Sequence, residues 1–215
     1  NGTTSSHLFT RARYQGGDAS WINVLYPRLA SRPAAAITPQ TVTGGAGSAV
    51  TVTGEIEAKE SDLAVVSDGT SPIQIAEAGV TFQGRAAILL MDEGVIQEGH
   101  VFDARQLEDA GGTLFSSTHP IHAFVTVSLP AIRVEIDVPG SGARLSMPVS
   151  DASARLLVDG LTTLGGYDKR TRCAYADVPA GRHVVEVPMA KTAASSERRD
   201  YPVRSGRRGF QGDPA

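Results

Sequence analysis

Residues 123–138 read AFVTVSLPAIRVEIDV, and their pattern decides the fold class. Val125, Val127, Ile132, Val134, Ile136 and Val138 stand at alternate positions on either side of Leu129-Pro130, with Thr126, Arg133, Glu135 and Asp137 between them. Successive side chains of a strand point to opposite faces, so a period of two lines one face with branched apolar residues and the other with polar ones. The stretch predicts two half-buried strands rather than a helix.

The same alternation continues outward in both directions. Towards the C-terminus it predicts strands over 144–149, 155–158, 172–175 and 183–187, with turns at Asp159-Gly160 and Pro179-Ala180-Gly181. Towards the N-terminus it predicts strands over 7–14, 20–26, 50–53, 63–67, 73–76, 80–91 and 95–102. Val50–Thr53 is expected to pair with Leu63–Ser67, and Asp68-Gly69 reads as a hairpin-type turn. Gly84 inside an apolar run implies a bulge or a close backbone approach. Pro27, Pro33 and Pro39 are expected to break regular structure. Residues 103–110 (DARQLEDA) form the one helical candidate, with Asp103 as cap and Gly111 as stop. These readings predict an all-β, antiparallel β-sandwich of about a dozen strands over residues 1–190. Residues 191–215 lack apolar periodicity and carry Arg198, Arg199, Arg204, Arg207 and Arg208, which predicts a disordered Arg-rich tail.

Composition bounds the function. The 215 residues are 41% hydrophobic and 20% charged, enough apolar surface for a core, and the formal net charge of −3 supplies no global field for nucleic acid. No stretch reaches the roughly 20 apolar residues of a membrane-spanning helix. Cys173 is the only cysteine, so an internal disulfide and a CxxC metal site are excluded; it is expected to be a small buried residue. The first residues lack an initiator Met and a signal-peptide pattern, and read as chain already under way.

Catalytic signatures are sparse. No G-x-S-x-G elbow is present, and Gly44-Gly45-Ala46-Gly47 lacks the Lys-Ser/Thr and helix of a phosphate loop. His119 and His122 stand three apart, so on a strand they point to opposite faces and suit a shared metal only in a turn. His183 is expected to face solvent or a neighbouring strand. Glu55, Glu57, Glu60 and Asp62 read as a solvated acidic loop, with no calcium-loop spacing. No cofactor or metal is expected. Trp21, Tyr26 and Arg28 are the candidate sugar-binding residues, because aromatic faces stack on sugar rings and guanidinium pairs with acidic groups. Trp21 reads first as the core anchor of a sandwich, and sugar contact is its second reading.

Three stretches carry a family resemblance. Residues 18–27 (DASWINVLYP) look like a strand in the C-terminal β region of heparinase II/III-like polysaccharide lyases. Residues 80–88 (VTFQGRAAI), with Gly94-Val-Ile-Gln97 and Phe102-Asp103, are similar to later hairpins of that region. Leu157-Val-Asp-Gly160 and residues 178–187 (VPAGRHVVEV) resemble the closing hairpin of accessory β-sandwiches on carbohydrate-active enzymes. The resemblance implies an accessory β-sandwich of an extracytoplasmic, secreted or periplasmic, enzyme that cleaves acidic polysaccharide by β-elimination. It implies a partner in an upstream catalytic domain of the same polypeptide, whose Tyr/His pair supplies base and acid. No residue of this chain matches that pair. A stand-alone carbohydrate-binding or adhesive module is the alternative, and a purely structural domain the third.

Overall fold

The computed structural model describes residues 35–53, 60–128, 131–149, 151–163 and 165–188. In chain order the strands are β1 (Ala36–Gln40), β2 (Val42–Thr43), β3 (Gly47–Thr53), β4 (Glu60–Ser67), β5 (Ile73–Ile75), β6 (Val80–Gln83), β7 (Ala86–Asp92) and β8 (Val95–Asp109). They continue as β9 (Gly112–Ser128), β10 (Ala131–Val138), β11 (Ala143–Pro148), β12 (Leu157–Val158), β13 (Leu161–Thr162), β14 (Gly165–Asp168), β15 (Cys173–Val178) and β16 (Gly181–Pro188). A single 3-10 turn, Ala76–Ala78, interrupts them among the described residues. Every pairing among the described residues is antiparallel, so the all-β antiparallel expectation holds, with sixteen strands among those residues alone where about a dozen were expected.

One path runs β1-β3-β4-β7-β8-β9-β10-β16-β12-β13. A second arm carries β2-β5-β6 onto β8, and β11-β15-β14 onto β9. Both arms meet on the long β8–β9 ribbon, of 15 and 17 residues. The early half of β8 pairs with β7 and its later half with β6, while β9 pairs first with β11 and then with β10. The ribbon changes arms where its register shifts, between Val101 and Ala104 and again before Gln106. Asp103 stands there at φ 49, the left-handed conformation that a bulge imposes on its extra residue. A bulge bends and twists a strand, which lets one ribbon serve two arms.

The core follows from the alternation. Leu63, Leu89, Gly99, Val125, Val134 and Val185 are successive cross-strand partners from β4 to β16. The side chains of Leu63, Leu89, Val125, Val134 and Val185 join Ile73, Ile75, Phe82, Leu107, Phe115 and Leu145 of the other arm in one hydrophobic cluster. Each such side chain fully removed from water contributes roughly 1.5–3 kcal/mol. Gly84 lies in the bend between β6 and β7, where a Cβ would stand 2.8 Å from the Ala104 Cα and 2.5 Å from the Phe82 ring. The close-approach reading of that glycine is therefore the right one.

Several expectations are corrected. Residues 103–109 are strand, not helix: Ala104, Leu107 and Asp109 are buried, and Ala110-Gly111 is the turn joining Asp109 to its partner Gly112. Eight residues hold a marginal helix by themselves, and cross-strand pairing with β6 and β9 prevails. Pro39 does not break structure, because β1 ends the sheet path and an edge strand tolerates the missing N–H. Pro120 falls within β9 where residues 118–120 have no ladder partner among the described residues. Asp68-Gly69 joins β4 to β5, but these strands do not pair with each other, so it is no hairpin. Glu60 and Asp62 lie on β4 rather than in a loop, and burial raises the Asp62 carboxyl above its ordinary value. Glu55, Glu57 and residues 191–215 lie outside the described residues.

Candidate functional site

The outer face of the long path holds the richest chemistry. Cross-strand register aligns Ile88, His100, Phe124, Glu135 and Val184 in one row over β7, β8, β9, β10 and β16. The next row brings His122, Asp137 and Arg182 together. These are the positions that alternate with the buried ones, so they must face away from the core. All of these except Ile88, together with Phe102, Asp159 and His183, line an open cleft of about 500 Å³.

Two apolar rings form its floor. Phe102 is 44% exposed and Ile88 56%, high for large apolar side chains. The His100 ring lies 4.5 Å from that of Phe124, tilted by 33°, and the His122 ring 5.9 Å from that of Phe102. Polar groups stand around the rings in local pairs. The Asp103 N–H donates to His122 Nδ1 at 3.2 Å, which puts the proton of a neutral ring on Nε2, 3.9 Å from the Asp103 carboxylate. Arg182 faces Asp137 at 4.0 Å while its side chain remains 91% exposed. Arg133 bonds Glu135 and also reaches Glu186 at 3.2 Å.

The edge of the cleft is closed by the β12–β13 hairpin. Its two-residue turn, Asp159-Gly160, has φ of 53 and 75, the left-handed pair that suits a tight hairpin. One Asp159 oxygen accepts from the Val184 N–H at 2.9 Å and the other from His183 Nδ1–H at 2.8 Å. The His183 bond, followed by the Val184 bond, holds the Asp159 carboxyl below its ordinary value. The His183 side chain is only 14% exposed, and its Nε2 is buried with no partner.

His119 and His122 are on opposite faces, as their spacing on a strand demands. His119 borders a second cleft, of about 620 Å³, beside Arg144 and Asp177. There Arg144 bonds Asp177 at 2.8 and 3.0 Å and lies 4.9 Å over the Tyr175 ring. Every charge in that cleft is committed to a partner. Cys173 is buried as expected, and burial pushes its thiol up. Among the described residues no group of three or more His, Cys, Asp and Glu is arranged to hold a metal.

The sequence-predicted sugar contacts, Trp21, Tyr26 and Arg28, lie outside the described residues. His183 belongs to the first cleft, largely buried against Asp159 of the neighbouring β12–β13 hairpin, so of its two expected surroundings it takes the neighbouring element and not solvent. The sequence reading missed His100, Phe102, Phe124, Glu135, Asp137, Asp159 and Arg182. Alternation in 123–138 already puts Phe124, Glu135 and Asp137 on the polar face, but strand order, which makes them neighbours of His100 and Arg182, is tertiary information. No helix among the described residues is long and apolar enough to cross a membrane. No family model matches the chain, and no curated protein matches it.

Proposed function

We propose that this chain is a non-catalytic accessory β-sandwich of a secreted or periplasmic polysaccharide lyase acting on acidic polysaccharide. Its role is to contact sugar on the face of β8, β9, β10 and β16, beside an upstream catalytic domain of the same polypeptide. The observation that carries this reading is the cleft itself. Phe102 and Phe124 offer apolar ring faces, and His100, His122, Glu135 and Arg182 surround them with planar polar groups. Sugar rings present that combination in reverse, an apolar face edged by hydroxyls, so stacking and edge hydrogen bonds form together. The chemistry of the cleft also supports a binding role over a catalytic one. The imidazole held by Asp159 has its remaining nitrogen buried, and a general base must reach a substrate proton. A stand-alone carbohydrate-binding module is the second reading, favoured by a cleft assembled wholly from this chain.

The deciding experiment incubates the 215-residue protein with acidic polysaccharides and follows both bound glycan and the ultraviolet absorbance of unsaturated product. Binding without product is expected. Product release by the chain alone overturns the accessory role, and absence of glycan binding overturns the sugar-contact role.

A further inference from the structure

We infer that Arg182 is the residue by which the cleft selects a sugar bearing carboxylate, turning to that carboxylate from Asp137. This deepens, and rests on, the proposed sugar-binding role of the same cleft. Among the described residues that line it, Arg182 is the only one with a fixed positive charge. The three lining carboxylates differ in how far they are already occupied. Glu135 is bonded by Arg133, whose guanidinium also holds Glu186 at 3.2 Å. Asp159 has one oxygen on the Val184 N–H and the other on His183. Asp137 faces Arg182 at 4.0 Å, beyond hydrogen-bond reach.

The Arg182 side chain is therefore charged, 91% exposed and without a hydrogen-bonded partner among the described residues. An exposed ion pair of that length contributes little, so turning away from Asp137 costs little. A sugar carboxylate is free to approach the fork of the guanidinium and meet two parallel N–H donors, which Asp137, fixed on the neighbouring strand, does not reach. Register puts Arg182 in range of the ring floor. It pairs with Asp137, Asp137 pairs with His122, and His122 stands two residues before Phe124 on β9. Two strand spacings and one two-residue step separate Arg182 from Phe124, about 12 Å between Cα atoms. A pyranose stacked on the Phe124 ring and an extended Arg side chain together bridge that gap. Arg133 stands on the far side of the Phe124 row, but Glu135 and Glu186 hold it there.

The test measures binding of oligogalacturonate and of its fully methyl-esterified, uncharged form to the full chain at neutral pH. The unsubstituted protein is expected to favour the acid form. The R182Q variant should lower the ratio of the two affinities about tenfold, the scale of one charge-assisted pair at an open site. R182K keeps the charge without the fork, so its ratio should fall between the two. D137N removes the competing carboxylate and should raise the ratio about threefold, the order for one charge about 7 Å from an anion under water-like screening. Arg170 lies exposed in the turn between β14 and β15, outside the cleft, and R170Q makes the same change in net charge. It should leave the ratio where it was. Thermal unfolding checks that each variant folds. A ratio unmoved by R182Q, moved equally by R170Q, or favouring the ester in the unsubstituted protein overturns the role of Arg182 and leaves the sugar-binding role intact. Binding of neither form overturns both.

Discussion

The two faces of the β7-β8-β9-β10-β16 sheet differ by one residue in register and by everything in chemistry. On the inner face Leu89, Val125, Val134 and Val185 pack into a core with nothing ionisable among them, Gly99 standing between Leu89 and Val125 in the row. On the outer face, one position along the same strands, stand Ile88, His100, Phe124, Glu135 and Val184. The contrast teaches that alternation fixes which residues are available for function, whereas strand order fixes which of them meet. Phe124 and Phe115 sit on the same strand, yet one is a partly exposed ring in a cleft and the other is fully buried.

The sharpest way to break the comparison is to truncate one ring on each side of it. Phe115→Ala is expected to cost about 3–5 kcal/mol in urea unfolding, since it removes a ring from the closed core. Equal costs for Phe115→Ala and Phe124→Ala would show that the outer face is covered and the two faces are alike. Overfilling probes the inner side from the opposite direction. Gly84→Ala places a methyl against the Ala104 backbone and the Phe82 ring, with an expected loss of about 1–3 kcal/mol. A neutral result there would mean that the β6–β7 bend yields.

On the outer face the expected effects move from stability to binding. Phe124→Ala should weaken oligosaccharide binding by about threefold to tenfold, the scale of one stacked ring, and change unfolding free energy by less than about 1 kcal/mol. Glycan titration beside urea unfolding separates the two. The smallest effect belongs to Asp159. Its carboxyl is held below the ordinary value, so it contributes stability above the unfolded pKa of about 3.9 and loses it as pH falls through the lower folded value. Asp159→Asn should therefore be the less stable protein near pH 6, with the gap closing as pH falls below about 4. A gap that is constant with pH would place the hairpin's stability in the turn alone.

Much of this was legible beforehand. The period of two in 123–138 and 183–187 announced strands, Cys173 announced a buried thiol, and the odd spacing of His119 and His122 announced opposite faces. The misreadings have specific causes. Residues 103–110 carry a helix cap and stop, but a bulge at Asp103 and pairing on both sides convert them to strand. Pro39 reads as a breaker because sequence does not reveal which strand is an edge. The cleft was missed because its residues come from segments up to 84 positions apart, His100 to Val184.

By itself the sequence determined a fold class, a set of inward and outward positions, and the exclusion of disulfide and helical membrane-spanning roles. These follow from local rules, the pleat of a strand and the chemistry of single residues. The tertiary structure alone decided that β16 returns beside β10, that one ribbon joins two arms, and that three histidines, two phenylalanines and a guanidinium share a cleft. Pairing between distant strands depends on how all the apolar faces are buried at once, and no local stretch contains that information.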